Sequence, residues 1–218
     1  MKRTIFAAWV VGIGVCILPT SLHALVVPGF YEDFEGSLAQ WTGKGGGSHS
    51  GQTVLDPLAS GQGAVLRFNS LSFGGDILTS SPIALSGTIQ ISFDYLGLPE
   101  LGGTPGDLGG FLGIAYSLDA VTDGVDLFWY AGTQNSYPGL LVDLADDGAW
   151  HHYSFQLNAD AMPPFRLMLE DYSGSGGVPA DVFFDNISVA MVPEPASASL
   201  LMLSLLLMAG KTAPNRRA

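Results

Sequence analysis

The chain is long enough for one domain with a full hydrophobic core, and its charge restricts its partners. Its 218 residues carry twenty Asp and Glu against eight Lys and Arg, which gives a formal net charge of −12 at pH 7. Nucleic acid and anionic lipid surfaces are excluded as partners, because both are bound through clustered Lys and Arg.

The first 24 residues have the pattern of a secretory signal peptide. Met1-Lys2-Arg3 is basic, Ile5–Leu18 is an apolar helical stretch, and Ala24 is the small residue that precedes a cut. The single cysteine, Cys16, lies in the apolar stretch, so the mature chain would have no disulfide and no cysteine metal site. We therefore expect an exported domain over residues 25–191 that rests on its core.

Between residues 25 and 191, short alternating segments are separated by Gly- and Pro-rich turns. The clearest is Ile89–Tyr95, in which every second residue is apolar. Strands are expected over 30–35, 64–68, 77–83, 89–95, 111–118, 126–130, 150–157, 165–170 and 182–189. With no helix expected before residue 196, the pattern predicts an all-β fold, an antiparallel β-sandwich of the jelly-roll type.

Residues 192–218 form a third segment with three parts. Val192-Pro193-Glu194-Pro195 is extended, residues 196–210 are apolar, and Lys211, Arg216 and Arg217 form a basic end that would stay in the cytoplasm. As a helix the apolar part spans about 22 Å, short of a hydrocarbon core of about 30 Å. A buried core helix and a permanent anchor are the other interpretations.

This order of Pro-Glu-Pro, apolar helix and basic end resembles the PEP-CTERM sorting signal of Gram-negative bacteria. The resemblance implies a hydrophobic sorting helix that is inserted transiently in the inner membrane. It also implies cleavage near Pro-Glu-Pro by an exosortase, and delivery to the cell surface or the extracellular polysaccharide matrix.

A second resemblance lies within residues 33–189. It is carried by D-F-E-G-S-L-A-Q-W (33–41), I-L-T-S-S-P-I-A-L-S-G-T-I-Q-I-S-F-D-Y (77–95), G-A-W-H-H-Y-S-F-Q-L-N (148–158) and V-F-F-D-N-I-S-V (182–189). These segments resemble the jelly rolls of MAM domains and carbohydrate-binding modules, which are sandwiches of the concanavalin-like and galactose-binding-like kind.

The jelly-roll resemblance also implies a structural calcium ion where the first and last strands meet. The matching acidic positions are Glu35 and Asp185, with Asp33 as a neighbouring candidate ligand. Calcium takes six to eight oxygen ligands, so backbone carbonyls would have to complete the set. The alternative is that Asp33 and Glu35 face solvent and that Asp185 caps a turn.

The candidate chemistry favours binding over catalysis. The acidic residues lack the paired spacing of a jelly-roll glycoside hydrolase, and no G-x-S-x-G nucleophile motif occurs. Sugars stack on exposed aromatic rings and bond to amides, and the residues that fit this role are Trp129, Tyr130, Tyr137, Asn135 and Gln134. At least one of Trp129 and Tyr130 must pack in the core, because neighbours on a strand point oppositely.

The sequence therefore predicts an exported, non-catalytic protein that binds or organises extracellular polysaccharide. A purely structural matrix protein without a discrete ligand is the main alternative, and a jelly-roll glycoside hydrolase or lyase is a weaker one.

Overall fold

Two β-sheets packed face to face form the domain, in a computed structural model that describes residues 28–70, 77–99, 109–119, 126–133, 139–172 and 181–192. Sheet A has the strand order β10-β6-β12-β4-β3, with β1 also paired to β12, and sheet B has the order β2-β5-β11-β7-β8-β9. All pairs are antiparallel except β8 with β9, which is parallel.

The strands have these bounds in chain order: β1 (Pro28–Glu32), β2 (Trp41–Thr42), β3 (Gly51–Leu55), β4 (Ala64–Phe68), β5 (Ile77–Thr79), β6 (Thr88–Gly97), β7 (Gly109–Ala115), β8 (Leu127–Gly132), β9 (Val142–Asp143), β10 (His151–Asn158), β11 (Arg166–Tyr172) and β12 (Val182–Met191). Two single turns of 3-10 helix, Leu38–Gln40 and Lys44–Gly46, flank β2.

The main core lies between the sheets and is built from the alternating positions of the strands. In β6 the inward residues Ile89, Ile91, Phe93 and Tyr95 are fully buried, because a strand directs every second side chain to the same face. Inward residues of β7 and β11 meet them from sheet B, among them Leu112, Ile114, Leu167 and Leu169. Burial of apolar area at roughly 25 cal/mol per Å² makes this layer the main stabilising contribution.

The outer face of sheet B is also apolar and buried. Phe111, Trp129 and Met168 pack together there, and each is 8% exposed or less. β7 is consequently buried on both faces along its whole length. Because sheet B is covered, the open sheet surface of the described residues is the outer face of sheet A.

That outer face of sheet A is itself divided. At one end Val65, Leu96 and Phe183 form a small apolar cluster, against which Trp150 packs. Asp56 accepts a hydrogen bond from the Trp150 indole at 3.0 Å and fixes the ring there. The other end of the face, around the second half of β12, carries polar side chains and stays open.

The predicted all-β sandwich is confirmed, and the expected strands at β4, β6, β10 and β12 are found with small shifts at their ends. The first strand ends at Glu32, before the expected residue 35, because Phe34 turns the chain with φ of 52°. The strand β3 was missed, since its short run follows a Gly- and Ser-rich loop. Sheet B is mixed rather than fully antiparallel as predicted, because the two-residue β9 runs parallel to β8.

The two terminal helices expected from the sequence lie outside the described residues. Val192 is the last described residue, and its amide donates to the Thr88 carbonyl at 2.8 Å, which extends the pairing of β12 with β6. In the described part of the chain, no helix has the length and apolar character needed to cross a bilayer.

Candidate functional site

β12 changes its neighbour halfway along one edge, and this creates an irregular point in sheet A. Its first half pairs with β4, and its second half pairs with β1. A β-bulge between Asp185 and Ser188 lies at the change, with Asn186 in the left-handed conformation at φ of 48°. Bulges of this kind redirect side chains out of the regular pleat.

Asn186 is the centre of a network of polar side chains, which we call the junction network: Tyr31, Gln62, Asp94, His152 and Asn186. The Asn186 amide nitrogen lies 2.9 Å from Asp94 Oδ2 and 3.0 Å from Gln62 Oε1. The Tyr31 hydroxyl donates to Asn186 Oδ1 at 3.3 Å. His152 Nδ1 is 2.7 Å from Asp94 Oδ1, so five separate segments of the chain are joined in one network.

From this network a polar face extends across β6 and β10. Its residues are paired in register, with Ser154 opposite Ser92 and Gln156 opposite Gln90. Gln156 Nε2 donates to Gln90 Oε1 at 3.5 Å, and the hydroxyls of Ser92 and Ser188 are 2.8 Å apart. The polar face, as we use the term, comprises Thr88, Gln90, Ser92, Ser154, Gln156, Asn158 and Ser188.

The composition of the polar face differs from that of the chain. Every residue in it is a neutral amide or hydroxyl, although the chain carries twenty acidic residues. In β6 and β10 the outward ionisable residues are Asp94 and His152, and their side chains contact each other at 2.7 Å. The face therefore presents hydrogen-bond donors and acceptors rather than charged groups.

Tyr31 stands at the edge of this face. Of the phenylalanine, tyrosine and tryptophan rings that the structure describes, its ring is the exposed one, at 50%. Partial burial, followed by the nearby carboxylates of Asp33 and Asp185, raises the pKa of Tyr31 above its ordinary value. The hydroxyl thus stays protonated and donates to Asn186, which orients the ring beside the face.

The three residues expected to bind calcium lie at the same junction. Glu35 Oε1 accepts from the Ala64 amide at 2.9 Å, and so bridges the gap between β1 and β4 on the edge of β12. Asp185 is 1% exposed. Burial raises the pKa of Asp185 to about 7. The hydrogen bond from the Asn186 amide opposes this rise, whereas the nearby carboxylates of Asp94, Asp33 and Glu35 add to it.

The fit of these carboxylates to an ion is incomplete. Asp33 Oδ1 accepts from the Glu35 amide at 3.3 Å, and Asp185 Oδ1 accepts from the Asn186 amide at 2.8 Å, so each carboxylate already has a protein donor. Among the described residues, no group of three or more His, Cys, Asp or Glu is placed to hold a metal ion. Calcium binding at Asp33, Glu35 and Asp185 stays a prediction.

The structure moves the candidate site away from the aromatic residues proposed from the sequence. Trp129 is 8% exposed, and its ring packs on Phe111 with centroids 5.5 Å apart. Tyr130 points to the opposite side of sheet B and packs on Phe155 at 5.7 Å. The Trp129 ring therefore offers no open surface for stacking, and the Tyr130 ring is partly buried. Tyr137, Asn135 and Gln134 lie outside the described residues.

The residues of the polar face and Tyr31 were not singled out from the sequence. Alternation did place Gln90, Ser92 and Asp94 opposite the apolar side of their strand. It could not show that β10 and β12 lie on either side of β6, which assembles the separate polar residues into one surface.

Comparisons with known proteins identify similar folds. No family model matches the chain, and no curated protein does. The CBM22-1 xylan-binding domain from Paenibacillus barcinonensis Xyn10C aligns at 16% identity and a TM-score of 0.47, over 78% of this chain and 97% of that domain. The CBM22-1-GH10 modules of Clostridium thermocellum xylanase 10B align at 12% and 0.48, over 77% and 29%.

A third solved structure with a similar arrangement is the K1 cleaved adhesin domain of Lys-gingipain from Porphyromonas gingivalis W83. It aligns at 13% identity and a TM-score of 0.47, over 75% of this chain and 98% of that domain. None of these three alignments reaches a TM-score of 0.5, so the fold is assigned from the two sheets and their strand order.

Proposed function

We propose that this domain is a non-catalytic module that binds extracellular polysaccharide on the polar face of sheet A. One observation carries the proposal: a surface of neutral amides and hydroxyls, on a strongly acidic protein, lies beside the exposed ring of Tyr31. Solubility alone would be served equally well by charged side chains.

The chemistry of a neutral glycan matches this surface. Its hydroxyls each donate and accept hydrogen bonds, as do the side chains of Gln90, Gln156 and Ser154. Its ring faces are apolar, and an exposed tyrosine offers an apolar ring with a polar end. The paired strands hold Gln90 and Gln156 at neighbouring positions, so both side chains can contact one ligand.

The proposal is tested by affinity electrophoresis and calorimetry with soluble neutral polysaccharides, including the polysaccharide of the producing cell. Tyr31→Ala should weaken binding by about 1 to 2 kcal/mol, roughly five- to thirty-fold. Gln156→Ala should weaken it less, since one neutral hydrogen bond contributes about 1 kcal/mol. Because both residues are exposed, both variants should fold.

A matched control is Leu141→Ala, which removes an exposed apolar side chain beside sheet B. Its affinity should equal that of the unaltered protein. If Tyr31→Ala and Gln156→Ala both bind as tightly as the unaltered protein, the polar face is not the binding site. Failure of the protein to bind any polysaccharide would favour a structural matrix protein without a discrete ligand.

Export and sorting form the second part of the proposal. The basic and apolar start of the chain and the Pro-Glu-Pro, apolar and basic end support secretion, transient insertion in the inner membrane and cleavage by an exosortase. The outcome would be a protein on the surface or in the matrix of a Gram-negative cell, where extracellular polysaccharide is available as a ligand.

A further inference from the structure

A cavity of about 430 Å³ lies at the edge of the sandwich, away from the polar face. Its walls are β1 at Gly29 and Phe30, the 3-10 turn at Ala39 and Gln40, and residues 79–85. These last residues connect sheet B to sheet A across the open edge. The volume falls within the range of about 300 to 1,000 Å³ that small-molecule sites occupy.

The cavity is held open by fixed backbone contacts on both sides. The Ser80 amide donates to the Gln40 carbonyl at 2.7 Å. Ile83 and Phe165 exchange two backbone hydrogen bonds of 2.6 and 3.0 Å. The connecting segment is thus anchored at both the start and the middle of the part that lines the cavity, so the cavity exists before a ligand enters.

The lining combines polar and apolar groups and contains no charge. Gln40, Ser80 and Ser81 supply an amide and two hydroxyls, while Phe30 and Leu85 supply apolar surface. No Asp, Glu, Lys, Arg or His is among the described residues that line it, although the chain has a net charge of −12. A charged ligand would therefore gain no ionic partner from the lining.

Thr79 also contributes to the wall, although its side chain is 1% exposed and its hydroxyl is buried away from solvent. The polar side chains open to a ligand are therefore those of Gln40, Ser80 and Ser81. An uncharged ligand with several hydroxyl groups would be suited to a lining of this kind.

From this lining we infer that the cavity binds one or two units of a neutral sugar, as a second site separate from the polar face. Neutral sugars combine hydroxyl groups with apolar ring faces, which matches the amide, hydroxyls and apolar side chains of the wall. β1 separates the two sites: Phe30 lines the cavity, whereas Tyr31 points to the outer face of sheet A. The inference does not depend on polysaccharide binding by the polar face.

The test uses saturation-transfer NMR and calorimetry on the whole protein. The probes are methyl glycosides of neutral hexoses and pentoses and their disaccharides, with methyl glucuronoside as the charged comparison. Ala39→Leu adds bulk at an exposed position of the cavity wall, and should weaken binding of the neutral probe at least tenfold. Gln40→Met keeps the length of the side chain but removes the amide, and should weaken binding several-fold.

Ala149→Leu is the matched control, because it makes the same change at an exposed alanine outside the cavity. It should leave binding of the neutral probe unchanged, and glucuronoside should not bind the unaltered protein. If Ala39→Leu does not fold, Gln40→Met decides the question.

The two sites fail separately. Neutral probes that bind equally to the unaltered protein, Ala39→Leu and Gln40→Met overturn the cavity inference, as does the absence of any neutral-probe binding. Loss of small-sugar binding in Tyr31→Ala, with both cavity variants unaffected, assigns the small sugars to the polar face and also overturns it. Retained polysaccharide binding in the cavity variants, with small-sugar binding lost, supports two separate sites.

Discussion

Replacement of Asp185 by Asn should change how the stability of the domain depends on pH. The folded carboxyl has a pKa of about 7, against an ordinary value of 3.8. Between these values the folded state holds a proton that the unfolded state has lost. Stability from this group is therefore fully present below pH 4 and decreases as pH rises through 7.

The size of the effect follows from the pKa difference of about three. At about 1.4 kcal/mol for each pKa unit, the folded state loses about 4 kcal/mol between pH 4 and pH 8 because of this one carboxyl. About half of that loss, roughly 2 kcal/mol, falls between pH 5.5 and pH 8. Asp185 is 1% exposed, so solvent screening reduces the effect little.

The assay is urea unfolding at several pH values from 4 to 8, and the quantity of interest is the difference between the unaltered protein and Asp185→Asn. Asn cannot ionise, so the variant should lack this part of the pH dependence. The variant also loses the hydrogen bond from Asn186 Nδ2 to Asp185 Oδ2, at a constant cost of about 1 kcal/mol. The test is therefore how the difference in the free energy of unfolding between the two proteins changes with pH, and not its value at one pH.

Asp160→Asn removes the same charge at the turn after β10, and controls for net charge. Its profile should run parallel to that of the unaltered protein between pH 5.5 and 8. If the Asp185→Asn profile also runs parallel over that range, the carboxyl is already ionised in the folded protein, and the argument from burial and repulsion is wrong.

Four further outcomes are expected. If an ion binds Asp33, Glu35 and Asp185, the melting temperatures in calcium-free and millimolar-calcium buffers should differ by several degrees. An ion at a hundred times its Kd adds about 2.7 kcal/mol to the free energy of unfolding. Superimposable melting curves, or a difference that persists in Asp185→Ala, would exclude the site. Glu32→Ala should lower the free energy of unfolding in urea by about 3 kcal/mol, because the buried Glu32 carboxylate accepts from the Phe34 amide at 3.0 Å and the Trp41 indole at 2.9 Å. A loss below about 1 kcal/mol would show that water replaces the carboxylate as the acceptor. Burial alone would raise the pKa of Asp56, but hydrogen bonds from the Trp150 indole, the Leu58 amide and Ser60 outweigh burial and hold that pKa well below its ordinary value. The ionised carboxylate therefore stabilises the folded state above pH 4, and the unaltered protein loses this stability as the pH falls, so Asp56→Asn should be less stable at pH 7. Equal stability of Asp56→Asn and the unaltered protein at pH 7 would contradict this. Intact mass of the exported protein should lack residues 1–24 and most of the chain after Pro195, and recovery of the full-length chain in the cytoplasm would contradict the proposed sorting.

Alternation in the sequence determined the class of the fold. Ile89–Tyr95 and Tyr153–Leu157 each place apolar residues at every second position, and a strand is the element that collects such positions on one face. The inward sides of β6 and β10 could therefore be predicted residue by residue. Trp41 was expected to lie under a sheet, and it is 4% exposed against Phe30 and Phe34.

The tertiary structure decided which surfaces are open and which residues meet. Trp129 and Tyr31 are both aromatic residues of alternating strands. Trp129 lies in a buried apolar cluster on the outer face of sheet B, whereas Tyr31 lies on sheet A and is exposed. The polar face needs β10, β6 and β12 side by side in register, and the junction network needs the bulge at Asn186. A local pattern specifies the face of a strand, whereas burial depends on what packs over that face from distant parts of the chain.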